Sequence, residues 1–411
     1  MTQRLTSKQR YDAVIVGGRC AGAATAAALA ERGASVLVLE RSRYGADTVS
    51  THALMRGGVL SLHRLGALER IVAAGTPAVR SATFLYPSGG VTVPIRSVPG
   101  SDALYAPRRT LLDRVVVDVA REAGAEVRHG MLVQGLVRDS DGRVSGVVVH
   151  DRQGRTQAVV ADVVIGADGR SSRVADWVRA PTLLEGEHHG AVIFGYWSGL
   201  EVDGYLWGYA PGVGVGAIPT NDGLTCVFVS GPPEVVMSGA SVETSYVELL
   251  RSAAPELAAR LVDARPSGKL LRFSGARGHI RAPYGPGWAL VGDAGVFRDP
   301  ITAHGITDAL RDAELLAEAI ARGDLEGYAR LRAEFTTEVF HISDEIASFA
   351  WTLERVQQLH KNFSQAMTPE VRWLSAARPL TRMRPRPPGP RPPHHRRVAQ
   401  AAAVEPAPKA L

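Results

Sequence analysis

YDAVIVGGRCAGAATAAALAERGASVLVLE, residues Tyr11 to Glu40, is the stretch on which the fold turns. YDAVIV, Tyr11 to Val16, is a short apolar run of the kind that fills a buried parallel strand. GGRCAG, Gly17 to Gly22, is a glycine turn, and AATAAALAERG, Ala23 to Gly33, is an alanine-rich helix that closes on a glycine. ASVLVLE, Ala34 to Glu40, is a second buried strand. Strand, helix and strand in this order make a βαβ unit with a right-handed crossover. In a dinucleotide-binding turn the first glycine permits the tight bend and the second lets the backbone approach a pyrophosphate. The third lets the helix pack on the strand. Here Gly17 and Gly22 take the first and third places, and Arg19 takes the second. Glu40 ends the second strand 23 residues after Gly17, where an acid accepts hydrogen bonds from ribose hydroxyls. Arg19 either holds its side chain clear of the phosphates or lies over them as a counter-charge; the sequence leaves both open.

Outward from this unit, LLDRVVVDVAREAGAEVRHG (Leu111 to Gly130) reads as a helix and a strand. A hairpin then feeds a buried strand at Val163 to Gly166. Aromatic-rich strands between Gly/Pro turns, Gly190 to Gly231, predict an antiparallel sheet. GWALVGDA, Gly287 to Ala294, is one more buried strand, and helices follow from about Ile306 to Gln358. Among them EFTTEVFHISDEIASFAWTLERVQQ reads as one continuous helix. A second GxGxG, Gly212, Gly214 and Gly216, runs into Ala217-Ile218-Pro219, which cannot open a phosphate-binding helix, and is read as hairpin backbone. The fold class expected is α/β, one parallel sheet interrupted by insertions.

The 411 residues exceed the usual size of a single domain, and 45% hydrophobic with 21% charged residues marks a globular chain. No apolar stretch reaches transmembrane length, and Met1 to Arg10 lacks the apolar core of a secretory signal, so the cytoplasm is the expected compartment. The net charge of +6 belongs to the tail: residues 371–411 carry nine Lys/Arg against one Glu, and residues 1–370 carry 38 against 40. A nearly neutral body argues against nucleic acid as a partner. The tail, about 376–411, includes TRMRPRPPGPRPPHHRR and reads as disordered. Cys20 and Cys226 form no metal or disulfide pattern, His188-His189 and His394-His395 lack a third ligand, and no metal site is expected.

Two further motifs, VVIGADGRSSRV (Val163 to Val174) and ALVGDAGVFRDPITAHGITDALRDAELL (Ala289 to Leu316), put an aspartate at the C-terminal end of a buried strand, where open α/β sheets bind ligands. With the Arg19 turn and Glu40, they make residues 11–330 resemble the FAD-dependent aromatic hydroxylases that fold like para-hydroxybenzoate hydroxylase, a class that also holds flavin halogenases and geranylgeranyl reductases. The resemblance implies a Rossmann-like FAD-binding domain of GR2 type with a parallel sheet, in three pieces (1–80, 105–180 and 270–330). An antiparallel-sheet substrate domain (81–104 and 181–269) is interleaved with it, and C-terminal helices (331–375) follow. It implies FAD as cofactor, NAD(P)H as reductant, and O2 and a bulky apolar or aromatic small molecule as partners. The leading expectation is a monooxygenase acting through a flavin C4a-hydroperoxide, with reduction of isoprenoid double bonds as the alternative. A halogenase or a non-catalytic flavin protein is less well supported. Oligomeric state is not readable.

On that resemblance, Gly292 and Asp293 look like the pair at the ribityl chain, Asp168 and Gly169 like the motif near the pyrophosphate, and Arg56 and Arg109 like two cofactor-side arginines. An ordinary ion pair remains the rival for each arginine. Pro300 to Gly305, PITAHG, precedes a helix, so the amides of His304, Gly305 and Ile306 would face the flavin edge that gains negative charge on reduction. His304 and His52 are candidates for contact with flavin or substrate, and either is equally readable as structural. Phe194, Tyr196, Trp207 and Tyr209 alternate in period two, as core packing or as the lining of a substrate cavity. No general base emerges.

Overall fold

The computed structural model describes residues 10–151, 153–239, 241–376 and 380–383. Most of the tail read as disordered, with His394 and His395, lies outside the described residues. Within it, the Met383 amide donates to the Arg32 carbonyl at 2.8 Å.

Five strands form the parallel part of the first sheet, in the order Trp288–Leu290, Thr156–Gly166, Arg10–Val16, Val36–Glu40 and Glu126–His129. The hairpin and the buried strand of the sequence reading merge. Thr156–Gly166 is one strand whose first half pairs with Val144–His150 and whose second half pairs with Trp288–Leu290. Because the five strands run in one direction, their C-terminal ends bring Gly17, Glu40, Ala167-Asp168 and Gly292-Asp293 to one edge.

Helices Cys20–Glu31, Arg109–Glu122 and Gly305–Arg322 pack together against this sheet. Every residue of the first from Cys20 to Ala30 is buried, and its alanines let both neighbours approach closely. Gly292, with φ +56°, marks the tightest approach: a Cβ there would lie 2.9 Å from Cβ of Ala21 and 3.3 Å from Cβ of Ala309. The N-terminal turns of two helices therefore meet at Gly292-Asp293.

The second sheet runs Arg265–Pro266, Ala191–Ser198, Leu224–Gly231, Val213–Pro219, Tyr205–Ala210, Ser81–Tyr86 and Gly89–Pro94. It is antiparallel as expected, except that Tyr205–Ala210 pairs in parallel with Ser81–Tyr86, because that hairpin is contributed by a distant segment of the chain. One face carries Ile193, Val215 and Val227 and is covered by helices Val242–Ala253 and Pro255–Leu261 through Tyr246, Leu250 and Leu257. Each such side chain contributes about 1.5–3 kcal/mol on full burial. The opposite face carries Phe194, Tyr196, Trp207 and Tyr209 and joins the main core with Ile301, Trp351 and Phe363. Gly214, from the second GxGxG, has no Cβ to hold Ile301 away (3.2 Å).

One helix differs from expectation. The run read as continuous breaks after Leu325–Ala347, where Phe349 takes φ +52°, and a new helix, Leu353–Ala366, starts on the cap of Thr352. The break turns Trp351 and Phe363 back under the aromatic sheet face.

Candidate active site

The glycine turn is built without room for side chains. At Gly17, φ +101°, a Cβ would lie 2.3 Å from the Ala167 carbonyl oxygen; at Gly22 it would lie 1.8 Å from the Gly17 oxygen; at Gly18 it would lie 2.9 Å from Cβ of Glu40. The helix that follows has no side-chain cap and no acid in its first turn, so its amides and dipole are left for an anion.

Arg19 is turned aside. Its guanidinium meets the Asp113 carboxylate at 3.3 Å and donates to the Asp47 carbonyl at 3.1 Å, so it stands at the rim of the turn. Asp113 also accepts from Arg109 (3.1 Å) and from the Cys20 thiol (2.9 Å). Burial opposes the Arg109 charge, but Cys20, Asp113 and Asp293 together outweigh it and raise its pKa. Sequence reading picked out both arginines but missed Asp113, which the i, i+4 spacing from Arg109 would have shown. Glu40 accepts from the Gly18 amide (2.6 Å) and from the Ser42 amide and hydroxyl (2.7 Å each). Burial alone would raise its pKa; these hydrogen bonds and the Arg19 charge hold it below the usual carboxylate range. Glu40 therefore braces the turn as well as ending the strand.

Asp293 lies between the two helix N-termini, 3.8 Å from where a Cβ of Gly305 would be. Burial pushes its carboxyl up to about 6, against the charges of Arg109, Arg298 and Arg170. Asp168 uses its carboxylate locally. It accepts from the Ser172 hydroxyl (2.5 Å) and the Arg173 amide (2.8 Å), and so fixes the Asp168-Gly169 turn beside Gly17. Arg56 opens helix Arg56–Arg64, and one of its terminal nitrogens is buried without a partner. Pro300 lies in a 3-10 turn, and His304 is the residue before helix Gly305–Arg322, whose first amides, with Ile306, have no side-chain cap. A side-chain-free turn, two uncapped helix N-termini meeting at Asp293, and unpartnered buried donors on Arg56 and Arg298 fit an elongated polyanionic cofactor such as FAD.

The aromatic face closes on this cradle through one pair. The Tyr196 hydroxyl is 2.6 Å from Nε2 of His52, and the two rings stack at 5.5 Å. His52 is buried, carries φ +62°, and has no partner for Nδ1. A left-handed conformation in a non-glycine residue stores strain, and such strain concentrates at functional sites. Burial, with Arg108 and Arg109 near, pulls its pKa down to about 3, so the imidazole is neutral at pH 7. The Arg108 guanidinium carbon lies 3.9 Å from the Tyr196 ring centroid, and Arg108 also meets Asp47 at 3.4 Å. Contacts through Arg108 and Asp47 thus run from the aromatic sheet to the Arg19–Asp113–Arg109 cluster at the glycine turn. Farther along the sheet, Tyr209 packs on Tyr86, Trp351 and His360, and the Tyr86 hydroxyl is 3.1 Å from Nδ1 of His360. A cleft of about 500 Å³ near Arg32, Arg64 and Glu314 lies at the far ends of these helices, away from these residues.

A family model described as FAD binding domain matches residues 10–332. The chain belongs to this FAD-binding family. It is an FAD-dependent oxidoreductase. Digeranylgeranylglycerophospholipid reductase 1 of Methanococcoides burtonii is 29% identical over 370 residues, covering 82% of this chain and 86% of that protein. Menaquinone reductase of Mycolicibacterium smegmatis is 28% identical over 355 residues, covering 78% of each. In fold, the chain is similar to the flavin-dependent brominase Bmp2 (TM-score 0.73, 20% identity, 89% of this chain and 94% of that one). It is also similar to the myxobacterial halogenase CndH (TM-score 0.72, 19% identity, 89% and 96%).

Among the described residues no helix is long and apolar enough to cross a membrane. His304, Asp308 and Glu370 have the spacing of a metal site, but Arg311 stands among them, 2.7 Å from Asp308 and 2.6 Å from Glu370. Its guanidinium already pairs with two of the three candidate ligands.

Proposed function

We propose that this oxidoreductase reduces carbon–carbon double bonds in an apolar isoprenoid substrate, and that Tyr196 is the proton donor. The Tyr196–His52 pair carries this reading: it is a buried hydroxyl held by a neutral imidazole on the aromatic face nearest the glycine turn. Bound FAD would be held by Gly17 to Gly22, Arg56, Arg109, Gly292-Asp293 and the His304 to Ile306 amides, and it supplies the hydride. Saturating an alkene also needs a proton at the second carbon. Burial raises the Tyr196 pKa far above neutrality, so its hydroxyl keeps its proton until a substrate carbon takes it. With the His52 proton on Nε2, the imidazole donates to the phenolic oxygen, and the Tyr196 O–H is left with only a long contact to the Ser50 carbonyl (3.4 Å), which a substrate carbon can replace. The same N–H and the Arg108 cation then stabilise the phenolate formed. Phe194, Trp207 and Tyr209 would exclude water and pack the hydrocarbon. A reduced nicotinamide is the proposed electron donor.

The relatives named as reductases of a digeranylgeranyl lipid and of menaquinone support the isoprenoid class. Oxygen insertion into an aromatic substrate, the first expectation from sequence, is the second reading, favoured by the aromatic face itself. The experiment is incubation of the FAD-loaded, reduced protein with a digeranylgeranyl lipid or menaquinone, with and without air. A product gaining 2 Da per bond, formed without oxygen, supports reduction. A gain of 16 Da that requires air supports the second reading instead.

A further inference from the structure

A buried group of charges under the N-terminus of helix Gly305–Arg322 holds side chains that the reduction step above does not use. Its members come from three places. His304, Asp308, Arg311 and Asp312 lie at or in the start of that helix. Arg298 belongs to the segment before it, and Glu370 comes from the C-terminal helix Thr368–Ser375, some sixty residues later. All six side chains are buried. Arg311 binds Glu370 at 2.6 Å, Asp308 at 2.7 Å and Asp312 at 2.7 Å, and Arg298 pairs with Asp308. Nε2 of His304 lies 3.4 Å from Glu370 and 3.8 Å from Asp308. Phe363 stands edge-on to the His304 ring at 5.8 Å. Gly57 makes the room: a Cβ there would lie 2.1 Å from Oε1 of Glu370.

We propose that His304 takes up a proton when the FAD of this site is reduced, and that Glu370 is the positioning residue that holds its ring for that role. Nε2 faces only carboxylate oxygens, so the proton of the neutral imidazole sits there. The lone pair is then on Nδ1, which is buried without a partner. The titratable and charged groups around the ring are Glu370, Asp308, Arg311 and Arg298. With Asp312, the contacting set holds two cations (Arg298, Arg311) and three carboxylates (Asp308, Asp312, Glu370), so it is one positive charge short when His304 is neutral. Burial lowers the His304 pKa and keeps it neutral until more negative charge arrives. Burial also opposes the Glu370 charge, but the permanently charged Arg311 and the hydrogen bonds from His304 and Arg311 hold its carboxyl low, so the counter-charge is ready. The step balances. Two electrons from an external donor such as a reduced nicotinamide, with one proton, convert FAD to its reduced anion. A second proton passes from solvent to Nδ1 of His304. The electron pair stays on the flavin, and the imidazolium offsets its charge.

The inference rests on FAD binding, not on which substrate is reduced, and its test needs no substrate. The full-length FAD-loaded protein is titrated with dithionite and mediator dyes at several pH values from 6.5 to 8.5. The slope of midpoint potential against pH gives the protons taken up per two electrons. The expected count is two in the wild type and one in both His304→Gln and Glu370→Gln, with flavin absorbance reporting that FAD is still loaded. One proton in the wild type would overturn the proposal, as would two in His304→Gln, since the second proton would then be on the flavin. Should Glu370→Gln not retain FAD, the wild type and His304→Gln decide the matter. Failure here leaves the double-bond reading standing, and absence of alkene reduction leaves the proton count readable.

Discussion

The proposed cofactor cradle and the aromatic face beside it are made in opposite ways. The cradle is backbone: Gly17, Gly18, Gly22 and Gly292 remove side chains so that amides of two helices face one line, and nearly all of it comes from short contiguous stretches. The aromatic face is side chains, and its central pair joins His52 to Tyr196 across 144 residues of sequence. A backbone site is intolerant of any added atom. A side-chain site tolerates changes in shape and fails when one functional group is lost.

That contrast can be broken by substitution, and the largest effect belongs to the cradle. Gly22→Val, whose first added carbon would sit 1.8 Å from a carbonyl oxygen, is expected to abolish FAD binding, read as loss of the flavin absorbance in purified protein. A variant that still purified with stoichiometric FAD would show that the turn is not the binding element. On the aromatic face, Tyr196→Phe removes one oxygen from a well-packed ring. Retained FAD with turnover lower by about 10²–10⁴-fold is expected, the range of a general acid. Unchanged turnover would remove Tyr196 from the mechanism.

Arg19→Gly sharpens the comparison from the cradle side. Because Arg19 leans on Asp113 and the Asp47 carbonyl at the rim, the change should alter FAD affinity by less than about tenfold, about 1.4 kcal/mol. A greater loss in an equilibrium titration would make the arginine a phosphate ligand. A separate effect is on acid stability. Burial pulls the His360 pKa down to about 4, below its ordinary 6.5. Between these values the unfolded chain holds a proton that the folded one does not, so His360 destabilises the fold as pH falls from 6.5 to 4. His360→Asn should therefore lose less stability than wild type over that window, in urea melts at each pH. A constant difference between the two proteins would show that His360 does not titrate in this way.

The same division explains what the sequence made legible. The βαβ unit, the parallel sheet and the positions of Gly17, Gly22, Glu40 and Asp293 were readable because a backbone site needs glycine at fixed spacing and an acid at a strand end. The alternation of Phe194, Tyr196, Trp207 and Tyr209 revealed the sheet face but not what stands opposite it. Asp113, Glu370 and Arg311 were missed for a physical reason. Asp113 stands at helical spacing from Arg109, but nothing local shows that Arg19 and Cys20 join it there, and Glu370 reaches His304 only through a helix packing that no local pattern encodes. The helix break at Phe349 was hidden too, since its left-handed residue is not a glycine and tertiary packing overrides propensity there.

The most direct test of the chemistry is a single turnover without oxygen. FAD-loaded wild type and Tyr196→Phe are reduced with dithionite, mixed with a digeranylgeranyl lipid or menaquinone in detergent micelles, and followed by flavin absorbance. The expected result is that the wild type reoxidises as saturated product forms, while Tyr196→Phe, equally loaded and reduced, reoxidises at least 100-fold more slowly. Equal reoxidation rates in the two proteins, or a wild type that stays reduced until air is admitted, would contradict it.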